Sequence, residues 1–528
     1  QIRDMIPGMA WLTKLDLENL PNLKNADCLM TDLESIRLRN MARLRRLRIG
    51  SYFLRFEDQM EYEPIPLERR QRVLDELGQG DGPRELEFEL FQFEGIDFTG
   101  LAKNRSIRSL TFNLTDLDFD QVRNLQTMKQ VETLQLGGCD LPDEGLTWLL
   151  EKFPNAQRIA GNATHTRNLE IESNPKLQNL DITFVSQPGR VRLVDVNQLR
   201  SHLLLLDAPE SLQIDQAESL RGLAVGGPWK KEHHVEGLRK LRWFAGGGPD
   251  LGNEVFDRLQ DCTQLEELTF AYANLSRDRL ESINQFDRLY TLMIPGANLD
   301  DSMVESWPDL RYLMHLNFDR TAIDVKTMRW VNRLRSARSL SIAGVRLSEQ
   351  AKPQLQTLGH LSWLQIADTG IESQYWRPIL KGDSIRHLDL SGLSVPDDVV
   401  DDMIACESLV RLQLNRAEVS TTALERLFAA RDDLLVWIDP DHPSMTDELR
   451  ARLEDRVISR PKPAIRIKGN WRGRASDDLL ASQLAFQRPG KIDIDLLHQR
   501  IQKGASSSSI ASEKAAFASS TASPVTPP

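Results

Sequence analysis

His315 and His387 are the side chains best suited to proton transfer or metal binding, and their spacing tests that idea first. They occupy the same position of a repeated motif, three units apart. If each unit supplies one strand of a parallel sheet, stacked at ~4.8 Å, the imidazoles lie roughly 14 Å apart. One metal ion holds its ligands near ~2 Å, so the pair cannot share it. The adjacent His233 and His234 follow Lys230, Lys231 and Glu232 and read as a polar loop, since a metal there needs ligands from elsewhere. Cys28, Cys139, Cys262 and Cys406 contain no CxxC pair, which argues against zinc and thioredoxin-type chemistry. Cys262 and Cys406 are six motif units apart, nearly ~30 Å at strand spacing. A disulfide needs Cα atoms within ~7 Å, so both read as small buried core thiols. No GxxxxGK[ST] phosphate loop exists. GGGPDLG (246–252) lacks a strand–loop–helix setting for a dinucleotide. DPDHPSMTDELR (439–450) begins like a calcium loop but lacks its central glycine and has Arg450 where a bidentate Glu belongs. The expectation is therefore no catalytic residue, no cofactor and no metal.

The elements that position these residues announce themselves by a period. Leu268, Leu292, Leu316, Leu340, Leu364, Leu388 and Leu412 recur every 24 residues. The surrounding segments read LEELTFAYANL, LYTLMIPGANL, LMHLNFDRTAI, ARSLSIAGVRL, LSWLQIADTGI, IRHLDLSGLSV and LVRLQLNRAEV. In-phase copies without an insertion mark a repeat array. Within LxLxx, alternate residues face opposite sides of a strand, so the leucines point to the core and the residues between them point outward. One coil cannot bury its apolar side alone, so coils stack and their strands share a parallel sheet. Returns such as 397–406 and 421–430 read as helices. Those holding Pro308, Pro353 or Pro378 read as short or irregular.

The pattern LxxLxLxxAxL resembles the leucine-rich-repeat consensus. Its length resembles bacterial ribonuclease-inhibitor-like and cysteine-containing branches, and VETLQLGGCDLPDEGLTWLLEKF from Val131 matches best. The resemblance implies an α/β solenoid, a right-handed superhelix with a concave parallel sheet and short helices or irregular segments on the convex side. The later copies depart from it where many members keep Asn or Cys. They carry Ala273, Ala297, Thr321, Val345, Thr369, Leu393 and Ala417, so small or apolar packing replaces an asparagine ladder. Bacterial repeat proteins that act as ubiquitin ligases use a CxD nucleophile in a separate domain; none of the four cysteines reads CxD.

Elsewhere the rhythm halves. Residues 1–54 repeat at about half that period, which predicts thin coils with extended segments on both sides. Residues 55–84 are a helical excursion (PLERRQRVLDEL, 66–77) and a turn. Residues 85–262 are irregular leucine-rich coils, with the half-period again at Leu169, Leu180, Leu212 and Leu223 and a Gly-rich stretch at 226–252 suited to a bend. Residues 263–439 are the regular array. A cap helix is expected over 440–458, started by Ser444 or Thr446. Residues 459–528 read as a basic, then Ser/Ala/Pro-rich, disordered tail.

Two surfaces are candidate contact sites. On the concave face the outward columns bring together His315, Asn317 and Asp319, Trp363 and Gln365, His387 and Asp389, and Arg411 and Gln413. An outward Trp beside Arg and His suits a protein-binding hot spot. In the tail, Arg460, Lys462, Arg466, Lys468, Trp471, Arg472 and Arg474 form a basic stretch. It reads as a solvated linker or as a contact for RNA, an anionic surface or an acidic partner. Residues 456–503 hold eleven Lys/Arg and four Asp, or +7. With a net charge of −11 and a neutral 504–528, residues 1–455 carry −18, which disfavours nucleic acid on the body. No apolar run reaches the ~18 residues of a membrane helix. No signal peptide is visible, and the first residue is Gln1. The expected function is a non-enzymatic scaffold, soluble and cytoplasmic, that binds a protein or peptide through the concave sheet. The alternative is a regulatory or targeting region of a larger membrane-anchored or catalytic protein.

Overall fold

The computed structural model describes residues 4–5, 14–28, 33–41, 43–50, 66–79, 82–89, 93–113, 125–137, 145–184, 188–205, 208–226, 228–305, 307–439, 442–446 and 449. The chain divides after Ile465 into two units, and the described residues all lie in the first. Cys139, most of the expected cap helix and the whole 459–528 tail fall outside them.

Each coil contributes one strand to a parallel sheet. Leu268, Leu292, Leu316, Leu340, Leu364, Leu388 and Leu412 are rung partners across successive strands. All seven are buried, and a buried leucine contributes about 1.5–3 kcal/mol. Two residues on, Phe270, Ile294, Phe318, Ile342, Ile366, Leu390 and Leu414 form a second buried rung. The positions that replace the asparagine ladder are buried too. Thr321 and Thr369 satisfy their hydroxyls there by donating to Phe318 O and Ile366 O.

Coil length decides what forms the return. In the thin coils the return is a second strand. Lys14–Glu18 pairs with Ser35–Arg39 opposite the Asp4–Met5, Asn25–Cys28, Arg46–Gly50 ladder. Leu169–Glu172, Arg190–Val194, Ser211–Asp215 and His234–Val235 make a four-stranded return sheet. In the longer coils of the regular array returns are helical, as in Val325–Arg333, Asp397–Ala405 and Thr421–Ala430. A five-residue strand and a ten-residue helix both span about 15 Å, so the helical return needs the longer coil. The prolines shorten it: Pro353 and Pro378 sit in the 3-10 helices Lys352–Thr357 and Arg377–Lys381, and only Asp301–Val304 precedes Pro308. Leu67–Gln79 is the expected helix after Pro66.

Strands stack at ~4.8 Å, whereas packed helices need about 8–10 Å. The sheet of the longer coils therefore lies on the inside of the curve. Beyond the last strand, Leu435–Trp437, the His442 ring meets Ala417 O and Ser444 Oγ donates to Val419 O, tying this segment to the coil before. Leu449 N–H donates to Thr446 Oγ1.

Just past each strand, one residue adopts a left-handed conformation. The series Tyr272, Gly296, Arg320, Gly344, Asp368, Gly392, Arg416 keeps the step of the repeat and alternates glycine with a long or charged side chain. Those side chains lie across the glycines. Arg320 Nη1 donates to Tyr272 Oη past Gly296, and Arg416 Nη2 donates to Asp368 Oδ2 past Gly392. A Cβ on Gly392 would fall 2.1 Å from Asp368 Oδ1. The exposed Arg416–Asp368 pair contributes at most about 1 kcal/mol. A left-handed L-residue costs about 1–2 kcal/mol, so backbone conformation dominates. Gly392→Ala is expected to lower unfolding stability by about 1–2 kcal/mol. Gly359→Ala, where a Cβ meets nothing within 4 Å and φ is ordinary, is expected to be neutral or slightly stabilising. Denaturant titration of both variants checks this; equal losses would assign the series no special role.

Candidate functional site

The inner sheet face is built from the residues flanking each core leucine. His315, Ser339, Trp363, His387 and Arg411 are consecutive rung partners, as are Asn317, Ser341, Gln365, Asp389 and Gln413. The expected columns are thus in place, but their surroundings differ from one end of the face to the other.

In the middle of the array the face is not solvated. Thr291, His315, Asn317, Ser339 and Ser341 are buried, and so is Asp389 further on. The reason is the strand pitch: at ~4.8 Å, small residues disappear between longer neighbours. His315 stands between Thr291 and Ser339, with the Tyr290 ring edge-on at 6.4 Å. Burial holds its pKa down at about 4. Asn317 Nδ2 donates to Asp319 Oδ2, and Ser341 Oγ and Ala343 N–H donate to Asp319 Oδ1 at 2.5 and 2.6 Å. Burial nevertheless raises the Asp319 pKa to about 6. Asp389 accepts from Ser391 N–H and Oγ. Asp319 therefore ties its coil to the next, and Asn317 and Asp389 brace the turns after their own strands, roles their polarity did not distinguish from ligand contact.

At the C-terminal end the face opens. Trp363, Gln365, His387, Arg411 and Gln413 are half-buried. The Trp363 and His387 rings stack with centroids 4.6 Å apart and planes 19° from parallel. The next two strands continue the ladder, with the Arg411 guanidinium 5.7 Å from the Trp437 ring centroid. Trp437 was missed as a site residue. It lies in the last strand, DLLVWID, and its rung partner is Gln413; extending the outward column by one more repeat reaches it. Burial, then the charges of Arg411 and Arg386, hold His387 at a pKa of about 4.

The other chemistry-bearing residues are structural. His233 is buried, its Nδ1 accepting from Lys230 N–H and its Nε2 meeting Pro209 O, so it braces its loop. His234 pairs with Glu236 at 3.3 Å. Cys28, Cys262 and Cys406 are buried free thiols, and burial pushes Cys28 and Cys262 up to about 12, far from nucleophilic. Among the described residues no group of three His, Cys, Asp or Glu could hold a metal ion, and no helix is long and apolar enough to cross a membrane. Arg460, Lys462, Arg466, Lys468, Trp471, Arg472 and Arg474 lie outside the described residues.

The histidine shifts set a pH dependence. Both imidazoles are depressed from 6.5 to about 4, so their contribution to stability is complete above pH 6.5 and is lost as pH falls through about 4. Asp319, raised from 3.8 to about 6, acts oppositely: its contribution is present below 3.8 and lost as pH rises through about 6. His387 is expected to stay neutral at pH 5.5 in the native protein. Arg411→Ala should raise its pKa toward 6.5 by removing a like charge. NMR titration of labelled imidazoles reads this directly; an unmoved His387 would show that Arg411 does not act on the ring.

No family model and no curated protein matches the chain. Among solved structures it is similar to a leucine-rich-repeat protein of Leptospira interrogans, at 14% identity and a TM-score of 0.45, over 67% of this chain and 95% of that one. An internalin (inlF) of Listeria monocytogenes is similar at 14% identity and 0.35, over 70% of this chain and 88% of that one. TLR13 in its complex with ssRNA13 is similar at 13% identity and 0.35, over 83% of this chain and 75% of that one. These scores are low, and the chain's own geometry decides the matter. Leucine rungs in register from coil to coil, on parallel strands joined by short helical returns, give this chain the leucine-rich-repeat solenoid fold.

Proposed function

We propose that the chain is a non-enzymatic binding scaffold that takes a protein or peptide segment on its inner sheet face, at the C-terminal end of the array. The observation that carries this is the cross-strand ladder Trp363, His387, Arg411, Trp437. Half-buried aromatic and arginine side chains in rigid register are the residue types that dominate binding energy at protein interfaces. Three-residue strands hydrogen-bonded on both sides hold Trp363, His387 and Arg411, and the last strand holds Trp437, so little ordering cost falls on the scaffold when a partner docks. Gln365 and Gln413 supply neutral hydrogen-bonding groups beside the rings. The buried middle of the face supports the ladder by fixing the sheet and offers few free groups of its own.

The test selects peptides that bind the intact chain from a random display library and measures each against the double variant Trp363→Ala, Arg411→Ala. Truncating hot-spot residues costs about 2 kcal/mol or more, which is about 30-fold in affinity. Most selected peptides should lose at least that factor. Unchanged affinity across the set would remove this face as the binding surface.

A further inference from the structure

A second line of residues runs beside the ladder, one position before each strand. It consists of Tyr290, Met314, Arg338, Ser362, Arg386 and Val410. Their backbones form an unbroken hydrogen-bond ladder. Met314 N–H donates to Tyr290 O, Arg338 to Met314, Ser362 to Arg338, Arg386 to Ser362 and Val410 to Arg386, at 2.8 or 2.9 Å throughout. The edge is thus as regular as the sheet it borders.

Its composition is unusual for this molecule. Met314 and Val410 are each 36% exposed and Tyr312, beside Met314, 58%. These are three of the four large exposed hydrophobic residues among the described ones, the other being Leu67. Arg338 and Arg386 are exposed, as are Arg311 and Arg335 just before the strand entries. None of these four, nor Arg411, makes an ion pair among the described residues. On the return segments many arginines are neutralised: Arg333 by Asp309, Arg377 by Asp398 and Asp402, Arg426 by Asp401, and Arg431 by Asp433. A body of strongly negative net charge thus gathers arginines without a carboxylate partner along one edge, where Arg338 Nη1 donates to Arg335 O and Ala337 O. Asp383 and Glu407, both exposed, precede Arg386 and Val410 at the repeat position that Arg311 and Arg335 hold before Met314 and Arg338.

We propose that this edge, together with the Trp363–Arg411 ladder, receives an acidic peptide segment whose carboxylates are flanked by apolar residues. The inference rests on the binding role proposed above and names the partner's chemistry. Arg338 and Arg386 are two rungs apart, roughly 10 Å at strand spacing. In the polyproline II conformation, common in unfolded chains, residues three apart share one side at about 9 Å. Carboxylates three residues apart therefore match the two guanidinium groups, while apolar residues outside them reach Met314 and Val410. The segment runs across the strand entries, along the axis of the solenoid.

The test measures, by fluorescence anisotropy on the full chain, a dye-labelled peptide with Glu three residues apart and Leu and Pro between and beyond them. A second peptide replaces each Glu by Gln. A single-stranded oligonucleotide of equal net charge is the third probe. The Glu peptide should bind at least tenfold more tightly than the Gln peptide and more tightly than the oligonucleotide. Arg338→Glu with Arg386→Glu should weaken it at least tenfold, and Arg338→Lys with Arg386→Lys should retain most of the affinity. Unfolding midpoints matching the parent's confirm that the surface variants fold. Equal binding of the Gln peptide, indifference to the charge reversal or tighter oligonucleotide binding would each overturn the proposal. Loss of the display-selected peptides in Trp363→Ala, Arg411→Ala, with no effect of the charge reversal on the Glu peptide, would keep the inner-face reading and end this one.

Discussion

The spacing of the parallel hydrogen-bond ladder, about 4.8 Å per strand, is the constraint that everything else obeys. Each coil advances by that step, so any residue type repeated at one position becomes a column on the surface. The return segment must span the same length as the strand, which is why thin coils return as strands and thicker ones as helices. Helices then demand about twice the pitch of strands, and the sheet is forced to the inside of the curve. Fold, curvature and the lining of the inner face follow from one distance.

The same distance explains why the inner face has two characters. Where outward residues are small, as at Thr291, Ser339 and Ser341, the pitch buries them, and the Ser341 hydroxyl donates to Asp319. Asp319 and Asn317 then serve the sheet. Where they are large, as at Trp363, His387, Arg411 and Trp437, they cannot all be swallowed and must stack. An aromatic pair contributes about 0.5–1.5 kcal/mol and an exposed cation–π contact about 0.5–1 kcal/mol. Those sums order the ladder but leave apolar surface half-buried, which a partner can finish covering.

The period and the core columns were legible because hydrophobic residues have few alternatives in a shared core. The halved period likewise told of strands on both sides of the thin coils, and Pro353 and Pro378 of irregular returns. Burial of His315, Asn317 and Asp389 was not legible, since it depends on the size of residues one repeat away on either side. Trp437 was hidden by standing in a terminal strand with no following copy to align. The left-handed series left a trace that period analysis alone passes over: Gly296, Gly344 and Gly392 recur at every second repeat, because Tyr272, Arg320 and Asp368 need the glycines to lie against.

Charge placement follows from the same columnar logic. Returns from successive coils bring acids and arginines side by side, and many of those arginines find a carboxylate one coil away, as Arg377 does at Asp398 and Asp402. On the strand-entry edge, columns mix Met, Arg, Ser and Val, so Arg338 and Arg386 face no acid in register. A positive edge on an acidic body selects by length as well as by sign. Duplex nucleic acid carries a charge about every 1.7 Å and a single strand is also densely charged, so either would run beyond the edge onto carboxylates that repel it. Ions screen charges beyond about 8–10 Å, so a short acidic segment confined to the edge meets its arginines and little of the remaining field.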